Sequence, residues 1–172
     1  MTKEEFEREL REELHLTEVT PGTWVGRMTI PEFAVKQPFA MMVRLIEIPQ
    51  QEAANQQNQR HNAVALAINL ALRVERNHRA VYESLLEINN ERTMGAFFIS
   101  DEDEIAIGAE MPCGSDPGNY FSKEALALMM MALFNTVKDH YNSIVQLIHV
   151  EETPVGTSFL DKWKTIVGNR AK

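Results

Sequence analysis

The sequence predicts an α+β fold, in which an antiparallel sheet of about five strands packs with three main helices in the order α-βββ-α-ββ-α. Segments with strand-like patterns follow one another through short connections, which favours antiparallel pairing. Segments with helical spacing of apolar residues separate these groups. The middle segment 62–77, "NAVALAINLALRVERN", has large apolar side chains at every second position, which is the period of a strand.

Length, charge and cysteine content limit the class of protein. The chain has 172 residues and a formal net charge of −8. We expect a single domain over 1–150 and a tail over 151–172 that contains a short amphipathic helix. The acidic charge disfavours nucleic acid and membrane as partners. Cys113 is the single cysteine, so no intrachain disulfide can form, and a cytoplasmic location is expected.

The first element predicted is an N-terminal helix. Thr2 and Glu5 fit a capping box, in which a hydroxyl and a carboxylate each accept a free backbone N–H. Phe6, Leu10 and Leu14 follow at a spacing of four and form one apolar stripe.

Two strands are predicted before the middle segment. The first covers 23–30 and ends before Pro31. The second covers 39–48, is rich in β-forming residues, is apolar on both faces and stops at Pro49, so we interpret it as a central strand. The polar, Gln-rich stretch 50–61 is typical of a long surface loop.

The middle segment favours helix by composition and strand by spacing. In a strand, all six large side chains share one face, whereas in a helix they spread around the circumference. Burial of each large aliphatic gains about 1.5–3 kcal/mol, which exceeds helix-propensity differences of tenths of a kcal/mol. We therefore predict a strand, with a buried helix as the alternative. The six side chains are Val64, Leu66, Ile68, Leu70, Leu72 and Val74.

The opposite face of this strand holds Asn69, Arg73 and Glu75 and is otherwise made of small side chains. Small residues permit close approach of another backbone or helix, so we expect a helix or a second subunit to lie against this face. Its small residues are Ala63, Ala65, Ala67 and Ala71, continued by Ala106 and Gly108 of a later strand.

The remaining chain predicts helix, hairpin and helix. A helix over 78–94 has one apolar row. A hairpin over 96–110 turns at the acidic residues 101–103. A long helix begins after Ser122 and continues to about residue 148. The row of the first of these helices consists of Val81, Leu85 and Ile88.

This region resembles a known family. "LLEINNERTMGAFFISDEDEIAIGAEMP" followed by "FSKEALALMMMALFNTVKDHY" is similar to the bacterial YbjN-type family, which is grouped with the type III secretion chaperone fold. The resemblance implies a small cytoplasmic homodimer that binds a protein segment and performs no chemistry. The positions that carry it are Leu85, Leu86, Asn89, Gly95, Phe97, Asp101, Asp103, Ser122 and Leu126.

No motif points to catalysis, a cofactor or a metal. The five histidines lack the spacing of a zinc site, and the acidic run 101–104 lacks the pattern of an EF-hand. We interpret that run as a solvated hairpin turn and Cys113 as a surface thiol. The loop "GSDPGN", 114–119, lacks the lysine of a phosphate-binding loop, although an anion at the following helix is an alternative.

Methionine and aromatic residues are the candidates for partner binding. Three consecutive methionines in a helix cannot all face the core, and neighbours on a strand face opposite sides. We expect a non-enzymatic, secretion-chaperone-like adaptor that binds a protein or peptide as a homodimer. The alternative is a regulatory or sensory module that binds a folded partner or a small ligand. The candidate residues are Trp24, Met41, Met42, Met131, Phe159 and Trp163.

Overall fold

The computed structural model has three helices and one six-stranded antiparallel sheet within the residues it describes, which are 1–29, 38–46, 62–91, 94–114 and 120–149. The strand order is β1-β2-β3-β4-β6-β5. This confirms the α+β class, with one strand more than predicted. The helices are α1 (Lys3–Glu12), α2 (His78–Asn90) and α3 (Lys123–His149). The strands are β1 (Thr17–Thr20), β2 (Thr23–Met28), β3 (Phe39–Ile46), β4 (Ala63–Arg73), β5 (Ala96–Ile99) and β6 (Glu104–Pro112).

The additional strand is β1, at one edge of the sheet. All four of its residues are exposed, so it has no burial period that the sequence could reveal. It pairs with β2 across a two-residue turn, Pro21-Gly22, in which Gly22 adopts a positive φ of 74°. The "TPG" segment therefore makes a hairpin turn.

The N-terminal helix forms as predicted. The Glu5 amide donates to Thr2 Oγ1 over 3.1 Å, and the Thr2 amide donates to a Glu5 carboxylate oxygen over 2.8 Å. Phe6 and Leu10 are fully buried, and the ring of Phe6 packs edge-on against Phe121. The apolar stripe thus holds α1 against the segment that leads into α3.

The middle segment is a strand, which confirms the prediction from spacing. β4 pairs with β3 on one side and β6 on the other, so it lies inside the sheet. Five of the six large side chains are buried and Leu72 is half-buried against the core. Their burial outweighs the helical preference of the alanines between them.

An irregularity interrupts β4 without changing which face its side chains occupy. Asn69 pairs with Ala106, but Leu72 pairs with Ile105, so β4 has two extra residues at this point. Ala71 takes a positive φ of 53°, and its amide donates to the Asn69 side chain over 2.7 Å. Because two residues are inserted, the alternation stays in phase and the later aliphatic residues still face the core.

Strand β3 is central, as predicted, but it is not buried on both faces. It lies between β2 and β4, and its residues alternate between buried and exposed. Phe39 and Val43 are buried, whereas Ala40 and Arg44 are exposed. One face of the sheet forms the core and the other faces outward.

The helices pack on the face of the sheet that carries the large side chains. Buried residues of α1, α2 and α3 join the buried residues of the strands in one cluster. The predicted row of α2 is buried throughout. Of the two expected covers for the small-residue face, a helix is wrong for the described part of the chain, because all three helices bury their apolar residues against the large side chains of the other face. A second subunit stays a prediction.

A side chain of α2 hydrogen-bonds the free edge of strand β5. The Asn89 amide nitrogen donates to the Phe97 carbonyl over 2.9 Å, and the Phe97 amide donates to Asn89 Oδ1 over 2.7 Å. These backbone groups point away from β6, so Asn89 takes the place of a neighbouring strand. Gly95, with a φ of 80°, makes the preceding turn, where a Cβ would come 2.5 Å from Leu133 Cδ2.

We predict that Asn89→Ala lowers the free energy of unfolding by about 1–2 kcal/mol, because two backbone groups of Phe97 lose their hydrogen-bond partner. Urea unfolding followed by circular dichroism measures this loss. Asn90→Ala, at an exposed position on the same helix, is the matched control and is expected to change the free energy by less than about 0.5 kcal/mol. Equal effects of the two substitutions would contradict the edge-closing role.

Candidate functional site

The outward face of the sheet is left uncovered by the three helices of the described residues. Strand register aligns its side chains in rows across β2, β3, β4, β6 and β5. We call this surface the open face. Its middle row is Val25, Met42, Ala67, Gly108 and Ala96; one flanking row is Thr23, Arg44, Ala65 and Glu110, and the other is Arg27, Ala40, Asn69, Ala106 and Phe98.

The open face combines small residues in the centre with larger apolar residues on either side. Met42 is 39% exposed on β3, and Phe98 is 45% exposed on β5. A Cβ on Gly108 would lie 3.2 Å from Phe98 Cε1, so the Phe98 ring lies across the glycine. The open face therefore exposes a large apolar side chain on either side of a centre of small residues.

Charges of opposite sign lie on opposite halves of the open face. Arg27 and Arg44 are exposed on β2 and β3, and Glu110 is exposed on β6. No ion pair joins any of these three side chains to another residue in the described ranges. The charges are therefore available to groups on an approaching molecule.

The small residues of β4 and β6 differ in exposure. Ala65 and Ala67 are half-buried and Ala71 is exposed at the β4 irregularity. Ala63 and Ala106 are buried. The sheet thus presents a shallow centre, where another surface can come close to the backbone.

Exposed apolar side chains also lie on two of the helices. Leu128 and Met131 are 55% and 53% exposed on α3, three residues apart on one side of the helix. Tyr82 and Leu86 are also exposed on α2, at a spacing of four. We call these four side chains the helix surface. Of the three consecutive methionines, Met129 is buried and Met131 is exposed, which confirms that they do not all face the core.

Two of the predicted surface residues are core residues. Trp24 is 1% exposed and Met41 is 2% exposed, so neither is a surface residue in this structure. The sequence contained a signal for this result. Arg44 lies two residues after Met42, on the same face of β3, and Arg27 lies on the face of β2 that is opposite to Trp24. Because side chains alternate along a strand, the face that carries a charged residue is the one that points outward.

Of the four other candidates for partner binding, two are exposed in the structure and two lie outside the residues it describes. Met42 and Met131 lie on the open face and the helix surface, respectively, and their role in partner binding stays a prediction. Phe159 and Trp163 lie outside the described residues, as does the whole tail 151–172. The residues that the sequence reasoning missed are Phe98, Leu128, Tyr82 and Leu86, whose exposure follows from the packing of the helices.

Two ionisable groups of α3 are perturbed by their surroundings. The hydrogen bond to Glu9 raises the pKa of Lys123, and burial raises the pKa of the Tyr141 phenol. Within the described ranges, no group of three or more His, Cys, Asp or Glu side chains could hold a metal ion. The acidic run 101–104 forms the predicted hairpin turn, in which Ser100 Oγ accepts the amides of Glu102 and Glu104.

A cleft of about 440 Å³ lies where the end of α3 meets the end of β4. Arg73, Arg76, Glu75 and His149 are among its lining residues, and all four are exposed. Its charges are of both signs, so the cleft selects no single class of ligand.

Comparison with known proteins decides the family. The YbjN family model, described as "Putative bacterial sensory transduction regulator", matches residues 54–144, just over half of the 172 residues. The chain belongs to the YbjN family. The match includes β4, α2, β5, β6 and most of α3, and hence much of the open face of this YbjN protein. No curated protein matches the chain.

None of the helices in the described part of this YbjN protein has the length and apolar content that a membrane span requires.

We predict that mild oxidation with hydrogen peroxide distinguishes the methionines of this YbjN protein. Met42 and Met131 are expected to form sulfoxides several-fold faster than their buried neighbours Met41 and Met129, because oxidation requires access to the sulfur. Peptide mass spectrometry at low protein concentration measures the four rates. Equal rates for Met41 and Met42 would contradict the assignment of the two faces of β3.

Proposed function

We propose that this YbjN protein is a non-enzymatic regulator that acts as a homodimer and binds a folded protein through its helix surface. The observation that carries this proposal is the presence of two separate apolar surfaces on opposite sides of the molecule. The family description supports a regulatory role, and the separation of the surfaces allows one for self-association and one for a partner.

The helix surface has the character of a partner-binding site. Leu128 and Met131 project from one long helix that is anchored by ten buried residues, so the backbone that presents them is rigid. Flexible, unbranched methionine adapts to partners of different shape. Exposed side chains on a well-packed helix can bind without the entropic cost of ordering a loop.

A second candidate function is an adaptor for an extended segment, as the likeness to secretion chaperones implies. The observation that favours it is the outer edge of β1, whose four residues are all exposed and to which a peptide could add as a further strand. The opposite edge is less suitable, because Asn89 already bonds the outer backbone groups of β5.

We predict that Leu128→Asp/Met131→Asp weakens binding of the protein partner at least tenfold, about the loss expected when apolar anchors of an interface are replaced by charges. The partner is first identified by affinity purification with the tagged chain from its native host, and is then produced pure. Calorimetry of the purified pair gives the dissociation constants. Asn142→Asp/Gln146→Glu adds two negative charges at exposed positions of the same helix and is expected to bind like the unmodified chain.

The same purified partner separates the two functions. A regulator retains the folded partner and binds its unfolded segments weakly, whereas an adaptor retains an unfolded segment. Failure to retain any protein, or equal affinity of both double variants, would overturn binding through the helix surface.

A further inference from the structure

We propose that the open face is the interface of the homodimer, with the two sheets packed face to face about a two-fold axis parallel to the strands and centred on β4. This inference rests on the homodimer of the proposed function and names its surface and geometry. Isologous contact requires a self-complementary surface, in which each residue meets its counterpart across the axis. The residues of the open face satisfy that requirement.

The strand order sets which residues meet. β4 has β3 on one side and β6 on the other, so a rotation about an axis along β4 places β3 of one copy over β6 of the second. Strand register keeps each row aligned with itself. Arg44 then faces Glu110 of the second copy, because both flank Ala65 in the same row. Two such pairs form in one dimer, and each joins opposite charges.

The apolar residues match under the same rotation. Met42 of one copy faces Gly108 of the second copy, across which the Phe98 ring lies. Contact between a methionine sulfur and an aromatic ring is favourable. Arg27 faces the strand position of Phe98, where a guanidinium can lie over the ring.

The centre of the face allows the two sheets to approach. Ala65 and Ala67 lie on the axis and meet their own counterparts, so no bulky side chain separates the sheets there. Arg27 and Phe98 lie on the outer strands of the face, β2 and β5, away from the axis.

The alternative two-fold axis, across the strands, does not give this match. It would place Met42 against Met42 and Arg44 against Ala40, which leaves the charges without partners. Only the axis along the strands pairs the arginine half of the face with the glutamate half.

The available area is sufficient for a dimer. Five strands at a spacing of about 4.8 Å, over the seven residues of β4 from Ala63 to Asn69, give a face of about 600 Å² per subunit. The total of about 1,200 Å² reaches the lower end of the range for specific protein interfaces. Charge does not oppose the contact either, since the face carries two arginines and one glutamate on a chain of net charge −8.

A charge-exchange series tests the geometry. Arg44→Glu and Glu110→Arg should each weaken the dimer at least tenfold, about the effect expected when each places two pairs of like charges in contact. The combination Arg44→Glu/Glu110→Arg should restore the dissociation constant to within about threefold of the unmodified chain. Sedimentation equilibrium measures these constants, and circular dichroism verifies that each variant is folded.

Matched controls reverse charges on the helix side of the molecule. Arg8→Glu on α1 and Glu87→Arg on α2 change exposed residues and should leave the dimer unaffected. As an independent readout, Met42 should be protected from peroxide at concentrations where the dimer forms, while Met131 should oxidise at its unchanged rate.

The outcomes distinguish this interface from the proposed function. A dimer whose dissociation constant is unaffected by either single reversal would overturn the open-face interface and leave the homodimer intact. A chain that remains monomeric at high concentration would overturn both the homodimer and its interface, whereas binding of the protein partner is measured separately. A double variant that stays as weak as the single ones would overturn the pairing of Arg44 with Glu110.

Discussion

Burial of alternate aliphatic side chains along β4 is the interaction on which the rest of the structure depends. β4 is the longest strand and pairs on both sides, so its orientation sets the two faces of the sheet. Burial of its large residues gains several kcal/mol on one face and directs the helices there. The same constraint leaves alanines on the other face and determines which side of every neighbouring strand points outward.

The irregularity in β4 shows how strictly this constraint acts. A single inserted residue would turn the following aliphatic side chains outward, whereas the observed insertion of two keeps Leu72 and Val74 on the core side. Asn69 stabilises the distortion by accepting a hydrogen bond from the backbone of Ala71. A second asparagine protects the outer edge of β5, because Asn89 supplies the hydrogen bonds that a further strand would make there.

The two sides of the molecule present different surfaces because the described helices cover only one face of the sheet. A sheet covered by helices on one face presents both a helix surface and a strand surface to its surroundings. The two surfaces differ chemically: the helix surface consists of large apolar side chains, whereas the open face has a centre of small residues and carries exposed arginines on one half and an exposed glutamate on the other. The proposed homodimer and the proposed partner contact therefore use different surfaces.

Much of the fold followed from local patterns. The capping box at Thr2, the period of two in 62–77 and the row of Val81, Leu85 and Ile88 each indicate one element, because each pattern satisfies backbone groups or buries side chains within that element. β1 was missed, since a fully exposed strand of four residues has no burial period.

The sequence by itself determined the α+β class, the strand character of β4 and the absence of large apolar side chains from one of its faces. Only the tertiary structure decided that no helix of the described residues covers that face. The physical reason is that alternation along a strand defines two faces but does not say which one a helix will occupy. That choice depends on the summed burial across all six strands, which is a property of the assembled sheet.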